Sequence, residues 1–307
     1  MKTIDMFKVL ILTLLSIITP QLSLLPITWV ANAQNIKEQT KQQEKSNKVG
    51  KLILKSQPSS DPKIKEVIQN IQNIISYLNS SGLVIRENIN VFLGNCNKGA
   101  YWYGAGKEIG LCYDFITKSF SRFKELGYSD DESLKNTINF SIFVFYHELG
   151  HGLIDILPLN AVGQEEDTVD EFASVMMYRK YSPNKAADII LSASDYLAFT
   201  TSPAWGEHSP GDRRLFQLTC FVFGSNPERY GEIFERRLII LNNGVRPNDK
   251  TILHRAALCR NDFVRKTKQW NRLLLPHYAT VNDSQTSPSP SDPSPPGVGR
   301  SEPGVIW

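Results

Sequence analysis

The chain has 307 residues and a formal net charge of +3, which is too mild to indicate a nucleic-acid partner. Between two polar ends, residues 61–280 are enough for one domain with a substantial core, or for two lobes that flank a cleft. The sequence contains no internal repeat. These features exclude a fibrous or repeat architecture and leave a globular domain with flexible ends.

Residues 1–33 have the pattern of a secretory signal. A positively charged start precedes an uncharged apolar run from Val9 to Ile18, and Ala31-Asn32-Ala33 fits a small-x-small cleavage site. We therefore expect cleavage near Ala33 and export to the periplasm, the cell envelope or the medium. Because no charge occurs between Lys8 and Lys37, retention of this segment as a membrane anchor is the alternative.

Two further segments have compositions that do not support a packed core. Residues 34–60 are polar and rich in Lys and Gln, which predicts a disordered linker. Residues 281–307 include the run PSPSDPSPPG, which predicts an extended tail of low complexity.

The ordered part opens with a helix, because Asp61-Pro62 supplies an N-cap and a first-turn proline ahead of apolar residues at helical spacing. A strand at Ile89–Leu93 and a strand or hairpin at Ala100–Cys112 come next. Almost everything after Asp114 has helical periodicity, over the ranges 115–126, 131–157, 164–181, 185–199, 212–223, 227–241 and 250–270. The predicted fold class is α+β, mostly helical, with a small β element near the amino terminus.

The four cysteines are Cys96, Cys112, Cys220 and Cys259, and none forms a C-x-x-C pair. An even count in an exported chain favours disulfides over a thiolate metal site. Three connectivities are possible. The predicted hairpin favours Cys96–Cys112, which leaves Cys220 to pair with Cys259.

The strongest motif is His147-Glu148-Leu149-Gly150-His151, inside an apolar helical run. Residues four apart share one helical face, so both imidazoles can bind one metal ion. Zinc with three protein ligands leaves a position for water, and Glu148 is placed to act as the base for that water. The alternative is a core helix with two hydrogen-bonded histidines, which would need several separate polar partners.

The third ligand must come from elsewhere in the chain. An extended motif with Gly and His at positions 154 and 157 is excluded, because these residues are Ile154 and Leu157. Downstream, Pro158 and Gly163 separate the motif helix from a second amphipathic helix that begins with a run of acids. We expect this second helix to fold back antiparallel over the first.

Glu166 and Asp170 lie four residues apart on this second helix. The pattern resembles the gluzincin arrangement, in which Glu binds zinc and Asp, one turn later, orients a ligating histidine. We therefore predict Glu166 as the third metal ligand and Asp170 as the orienting acid, with Glu165 as the reserve ligand. Some acids in this run also complement the helix dipole.

Three blocks of sequence resemble an uncharacterised bacterial family classed with the zinc metallopeptidases. They are GNCNKGAYWYGAGKEIGLCYDF, HELGHGLIDILPLNAVGQEEDTVDEFA and WGEHSPGDRRLFQLTCFVFGSNPERY, and the resemblance covers roughly residues 60–270. It implies a zincin-like fold for domain 61–280, and a site made of His147, Glu148, His151 and Glu166. It also implies that the cysteines are paired. It does not supply a substrate.

Hydrolysis of a peptide by zinc needs a donor for the oxyanion, and His208, in a polar stretch after Trp205, is the best candidate. Tyr178 and Tyr181 are weaker ones. The predicted function is an exported zinc peptidase that acts on a peptide or protein, with a metal-bound water and Glu148 as general base. The alternatives are a zinc hydrolase of cell-wall peptide or amide bonds, and a non-catalytic binding domain stabilised by zinc.

Overall fold

The computed structural model describes residues 49–198, 200 and 208–279. The predicted signal segment 1–33, most of the predicted linker and the predicted tail 281–307 lie outside the described residues. The described part forms a small sheet near its amino-terminal end and a mostly helical body, which confirms the predicted α+β class. None of its helices is both long enough and apolar enough to cross a membrane.

The sheet has four strands in the spatial order β1-β2-β4-β3. They are β1 (Leu52–Ser56), β2 (Ile89–Gly94), β3 (Ala100–Tyr103) and β4 (Glu108–Cys112). The predicted hairpin is confirmed, since β3 pairs antiparallel with β4. The other two pairs, β1 with β2 and β2 with β4, are parallel. Strand β3 therefore lies at one edge of the sheet.

Strand β1 differs from the prediction, because it lies inside the range 34–60 that composition assigned to a linker. It pairs along its whole length with β2, and Leu52 is buried. The side-chain amide of Asn79 accepts a hydrogen bond from the backbone N–H of Leu52 and donates one to its carbonyl. A strand of five residues hardly changes the composition of a polar stretch, so composition did not reveal it. Its backbone groups nevertheless find hydrogen-bond partners in the fold.

The described residues form eight α-helices. They are α1 (Pro62–Ser80), α2 (Tyr113–Glu125), α3 (Asp130–Ile156), α4 (Glu165–Lys180), α5 (Pro183–Leu197), α6 (Gly211–Ser225), α7 (Pro227–Leu241) and α8 (Asp249–Leu274). Each matches a predicted helix, with ends displaced by a few residues. The N-cap predicted for α1 is confirmed, because Asp61 accepts a hydrogen bond from the backbone N–H of Lys63.

Helix α3 is the centre of the domain. It begins with a capping box, in which Ser129 and Glu132 each accept a hydrogen bond from the other's backbone N–H. Every residue from Asn139 to Gly150 is buried, so the helix is enclosed on all sides. It contacts α1, α2, α4 and α5 as well as strands β3 and β4. The histidine motif is therefore carried by the helix that has the longest uninterrupted run of buried residues among those described.

Two disulfides brace the body. Cys96 pairs with Cys112 and Cys220 pairs with Cys259, with Cα atoms 5.1 and 5.0 Å apart, which confirms both predicted pairings. The second bond joins α6 to α8. The first bond restricts the hairpin, which contacts α3, and the second restricts the two late helices, which contact α4.

Gly150, inside the histidine motif, lets α4 approach α3 closely. A Cβ atom on Gly150 would lie 2.9 Å from side-chain atoms of both Phe172 and Val169 on α4. This contact sets how near the acids of α4 come to the imidazoles of α3.

We expect Gly150→Ala to lower the free energy of unfolding by about 1–3 kcal/mol, because the added methyl group overpacks the α3–α4 contact. Gly231→Ala is the matched control. It is also a helical glycine, but a Cβ there would meet nothing within 4 Å, so we expect it to stabilise by up to about 1 kcal/mol. Urea denaturation measures both. Equal effects of the two changes would show that Gly150 is not a packing constraint.

Candidate metal centre

Helices α3 and α4 bring the predicted site residues together. His147 contacts both Asp170 and Glu166, whereas His151, one turn further along α3, contacts Glu166 and Glu165. Residue numbers therefore rise along one helix as they fall along the other. The two helices run antiparallel, as predicted.

The carboxylate of Glu166 is surrounded by three imidazole nitrogens. Its Oε2 lies 3.1 Å from Nε2 of His147 and 3.1 Å from Nε2 of His208, and its Oε1 lies 3.4 Å from Nε2 of His151. Ligand atoms of His147, Glu166 and His208 all lie within 4.8 Å of one another. His208, predicted as an oxyanion donor, thus lies within the group of candidate ligands.

The donor set fits a metal ion. Glu166 Oε2 is buried and has no hydrogen-bond partner, although two imidazole nitrogens are 3.1 Å away. In a tetrahedral zinc site with bonds of 2.0–2.1 Å, neighbouring ligand atoms are about 3.3 Å apart. The observed separations agree with ligands that converge on a shared ion, and nitrogen with carboxylate oxygen is a donor set that zinc accepts.

Each imidazole of the motif is oriented by an acid on its other nitrogen. Asp170 Oδ1 lies 2.8 Å from Nδ1 of His147, and Glu165 Oε1 lies 2.6 Å from Nδ1 of His151. With these bonds made at Nδ1, both Nε2 atoms are turned towards Glu166. The structure thus brings Asp170 to the place predicted for it. It puts Glu165, the reserve ligand, against the outer nitrogen of His151.

Arg214 on α6 completes the buried part of the centre, and sequence reasoning missed it. Its Nε and Nη2 each donate a 2.8 Å hydrogen bond to the carboxylate of Asp170, and both side chains are almost fully buried. A signal was available: Arg214 shares a helical face with the buried residues Leu215 and Leu218. An arginine on such a face predicts a buried carboxylate partner.

The segment that carries His208 is attached to the first turn of α4. Ser209, which is buried, donates a 2.7 Å hydrogen bond to Asp167, and Arg213 Nη2 donates another of 2.7 Å to the same carboxylate. Since Asp167 follows Glu166 directly, these bonds fix the position of His208 relative to Glu166.

Glu148 has the properties expected of a proton acceptor. Its side chain is buried, and burial raises its pKa above the ordinary 4.5, although the two motif histidines oppose this shift. A carboxylate with a raised pKa holds a transferred proton more readily than an exposed one. Among the described residues, none forms a hydrogen bond with the side chain of Glu148.

In the metal-free centre, the pKa values of the motif histidines are higher than that of a free histidine. Burial alone would lower the pKa of His147, but the neighbouring carboxylates of Asp170 and Glu166 outweigh it and raise the pKa to about 9. Burial alone would raise the pKa of Asp170, but Arg214 and His147 hold it at about 2. A metal ion must displace the proton of His147 to bind.

The two weaker oxyanion candidates lie away from this centre. Tyr178 is more than three helical turns beyond Glu166 on α4, and its hydroxyl hydrogen-bonds to Ser225. Tyr181 is the residue that ends the same helix. Both lie far along the helix from Glu166, and their positions do not favour either tyrosine as an oxyanion donor.

A family model described as "Putative metallopeptidase" matches residues 55–274, which include every residue of this centre. No curated protein and no solved structure matches the sequence.

Proposed function

The chain belongs to the family described as "Putative metallopeptidase", and on that premise we propose that it is an exported, zinc-dependent peptidase. His147, His151 and Glu166 would hold the ion, and Glu148 would be the general base. The observation that carries this proposal is the convergence of three imidazole nitrogens on the orphaned Oε2 and the Oε1 of Glu166. When bound, zinc polarises a carbonyl group and lowers the pKa of a water molecule to about 7.

The protein's own residues perform the proton transfers. The carboxylate of Glu148 accepts a proton from the attacking water and donates it to the nitrogen of the leaving amine. Its raised pKa suits both steps, because the group must be deprotonated first and protonated afterwards. Asp170 and Glu165 hold the protons of His147 and His151 at Nδ1, which leaves each Nε2 as a lone-pair donor.

Strand β3 supports a peptide as the substrate. It pairs with β4 on one side, and the described residues place no strand on the other side. Trp102 of β3 packs so closely on α3 that a Cβ atom on Gly152, next to His151, would lie 3.0 Å from its ring. Trp102 and Lys107 both donate hydrogen bonds to Asp155 of α3. An extended peptide can add to such an edge through backbone hydrogen bonds.

Export is supported by the cysteines. All four are paired in disulfides, which persist in oxidising compartments and are rare in the cytosol. The two bonds join segments on either side of the centre, so we expect the folded enzyme to require oxidation before it is fully stable.

Metal removal tests the proposed function. Protein purified from an oxidising compartment should contain one zinc ion per chain and cleave members of a peptide library, with products identified by mass spectrometry. A chelator should abolish cleavage, and added zinc should restore it, because the Lewis acid is indispensable to the reaction. Protein that holds zinc but cleaves no library member would instead support the zinc-stabilised binding domain.

A further inference from the structure

His208 lies at the same distance from the carboxylate of Glu166 as His147 does. Both Nε2 atoms lie 3.1 Å from Glu166 Oε2. The two rings are nearly parallel, with centroids 6.3 Å apart and planes inclined by 11°. Two imidazoles that face one oxygen at equal distance are arranged as neighbouring ligands of a metal ion.

The distance between His208 and Glu166 distinguishes two roles of His208, metal ligand and oxyanion donor. A ligating nitrogen lies 2.0–2.1 Å from zinc, and so about 3.3 Å from the other ligand atoms. A donor to an oxyanion lies one oxygen further out, because the oxyanion itself must fit between that donor and the metal. The 3.1 Å separation from Glu166 Oε2 agrees with the distance expected between two ligands of one ion.

The position of His208 is imposed by its neighbours. Ser209 is bonded to Asp167, and Arg213 bonds to the other oxygen of that carboxylate. These bonds attach the chain on the carboxyl side of His208 to the helical turn that carries Glu166. The side chain of His208 is itself 48% exposed, so it can be displaced without disturbing the buried core.

We propose that His208 is a fourth protein ligand of the metal in the resting protein, so that substrate must displace it before hydrolysis. This inference rests on the proposed function. The ligand atoms of His147, Glu166 and His208 already lie within 4.8 Å of one another. Together with His151, whose Nε2 lies 3.4 Å from the other oxygen of Glu166, they would fill a tetrahedral site and close the position that catalysis needs. After displacement, the role left to the imidazole of His208 would be that of a hydrogen-bond donor to the oxygen of the substrate. The centre would then be inert towards water and small anions until a peptide binds.

Metal affinity and anion access test this role without measuring activity. The proteins to compare are the wild type, His208→Ala, His208→Gln and the control His254→Ala, whose histidine is exposed on α8. We expect both His208 variants to bind zinc at least tenfold more weakly, since even loss of an outer partner costs roughly 10–100-fold. We expect no change in His254→Ala. Melting temperatures of the metal-free proteins report whether each variant folds, and the Gln variant keeps a polar side chain in the loop.

Cobalt(II) in place of zinc reports whether the fourth position is closed. Azide should leave the visible spectrum of the wild-type cobalt protein unchanged and should shift the spectrum of both His208 variants. Equal zinc affinity in wild type and His208 variants, or an equal azide response, would overturn the fourth-ligand role and leave the proposed function intact. A wild-type protein that binds neither zinc nor cobalt would overturn the proposed function as well.

Discussion

Replacing Glu148 by Gln is expected to lower kcat/KM for peptide cleavage by about 10²–10⁴-fold, the range that a positioned general base contributes. Gln has the same shape but cannot accept a proton from water. Zinc content should stay at the wild-type value, because the proposed ligands are other residues. Steady-state kinetics on a library-derived peptide and metal analysis of the same sample measure the two quantities.

The direction in which Glu148→Gln changes the stability of the metal-free protein can also be predicted. Burial raises the pKa of Glu148 above 4.5, so the folded state favours the protonated form. In the wild type, ionised Glu148 therefore destabilises the folded state. This effect is absent below pH 4.5, grows as the pH rises towards the raised pKa, and is constant above it. At pH 7 the neutral Gln removes this penalty. We therefore expect a metal-free Glu148→Gln protein to melt at the wild-type temperature or slightly above it.

Glu171→Gln is the matched control for the loss of an acid near the centre. Glu171 pairs with Lys266 of α8 rather than with a histidine. We expect its kcat/KM to stay within about twofold of wild type, since Glu171 contacts none of the proposed metal ligands. Activity of Glu148→Gln within a few-fold of wild type, or loss of its zinc, would refute the assignment of Glu148 as the base.

The sequence was sufficient for features that depend on local periodicity. The four-residue spacings of His147 with His151 and of Glu166 with Asp170 each put two side chains on one helical face. Pro158 and Gly163 then required a break between the helices, and an antiparallel return brought the two faces together. The helices were predicted for the same reason, because apolar residues recur at helical spacing, and Asp61 supplied a recognisable cap for the first of them.

The features that the sequence did not predict all depend on contacts between distant segments. Strand β1 exists because β2 and Asn79 take up its backbone groups, and neither partner is visible in the composition of residues 34–60. The bidentate bond of Arg214 to Asp170 spans two helices. His208 lies in a loop, and loops have no regular residue spacing from which its distance to Glu166 could be predicted.

Replacement of Arg214 by Met is expected to lower the free energy of unfolding by up to about 3–5 kcal/mol, because the buried carboxylate of Asp170 loses its bidentate cationic partner and keeps only His147. The same change should weaken zinc binding by roughly 10–100-fold, since Asp170 would no longer hold His147 in one orientation. Urea denaturation of the metal-free protein and competitive zinc titration measure these effects.

Arg213→Met is the matched control, because Arg213 is the adjacent residue in α6 and is also paired with an acid, but its side chain is 56% exposed. An exposed ion pair contributes about 0–1 kcal/mol, so this control should be nearly as stable as wild type. The double variant Asp170→Asn with Arg214→Met should lose less stability than the sum of the two single changes, because Asp170→Asn alone leaves Arg214 buried and unpaired, and Arg214→Met alone leaves Asp170 with His147 as its only partner. Additive losses would show that Arg214 and Asp170 act independently. In that case Asp170 would orient His147 through their own 2.8 Å contact, without help from Arg214.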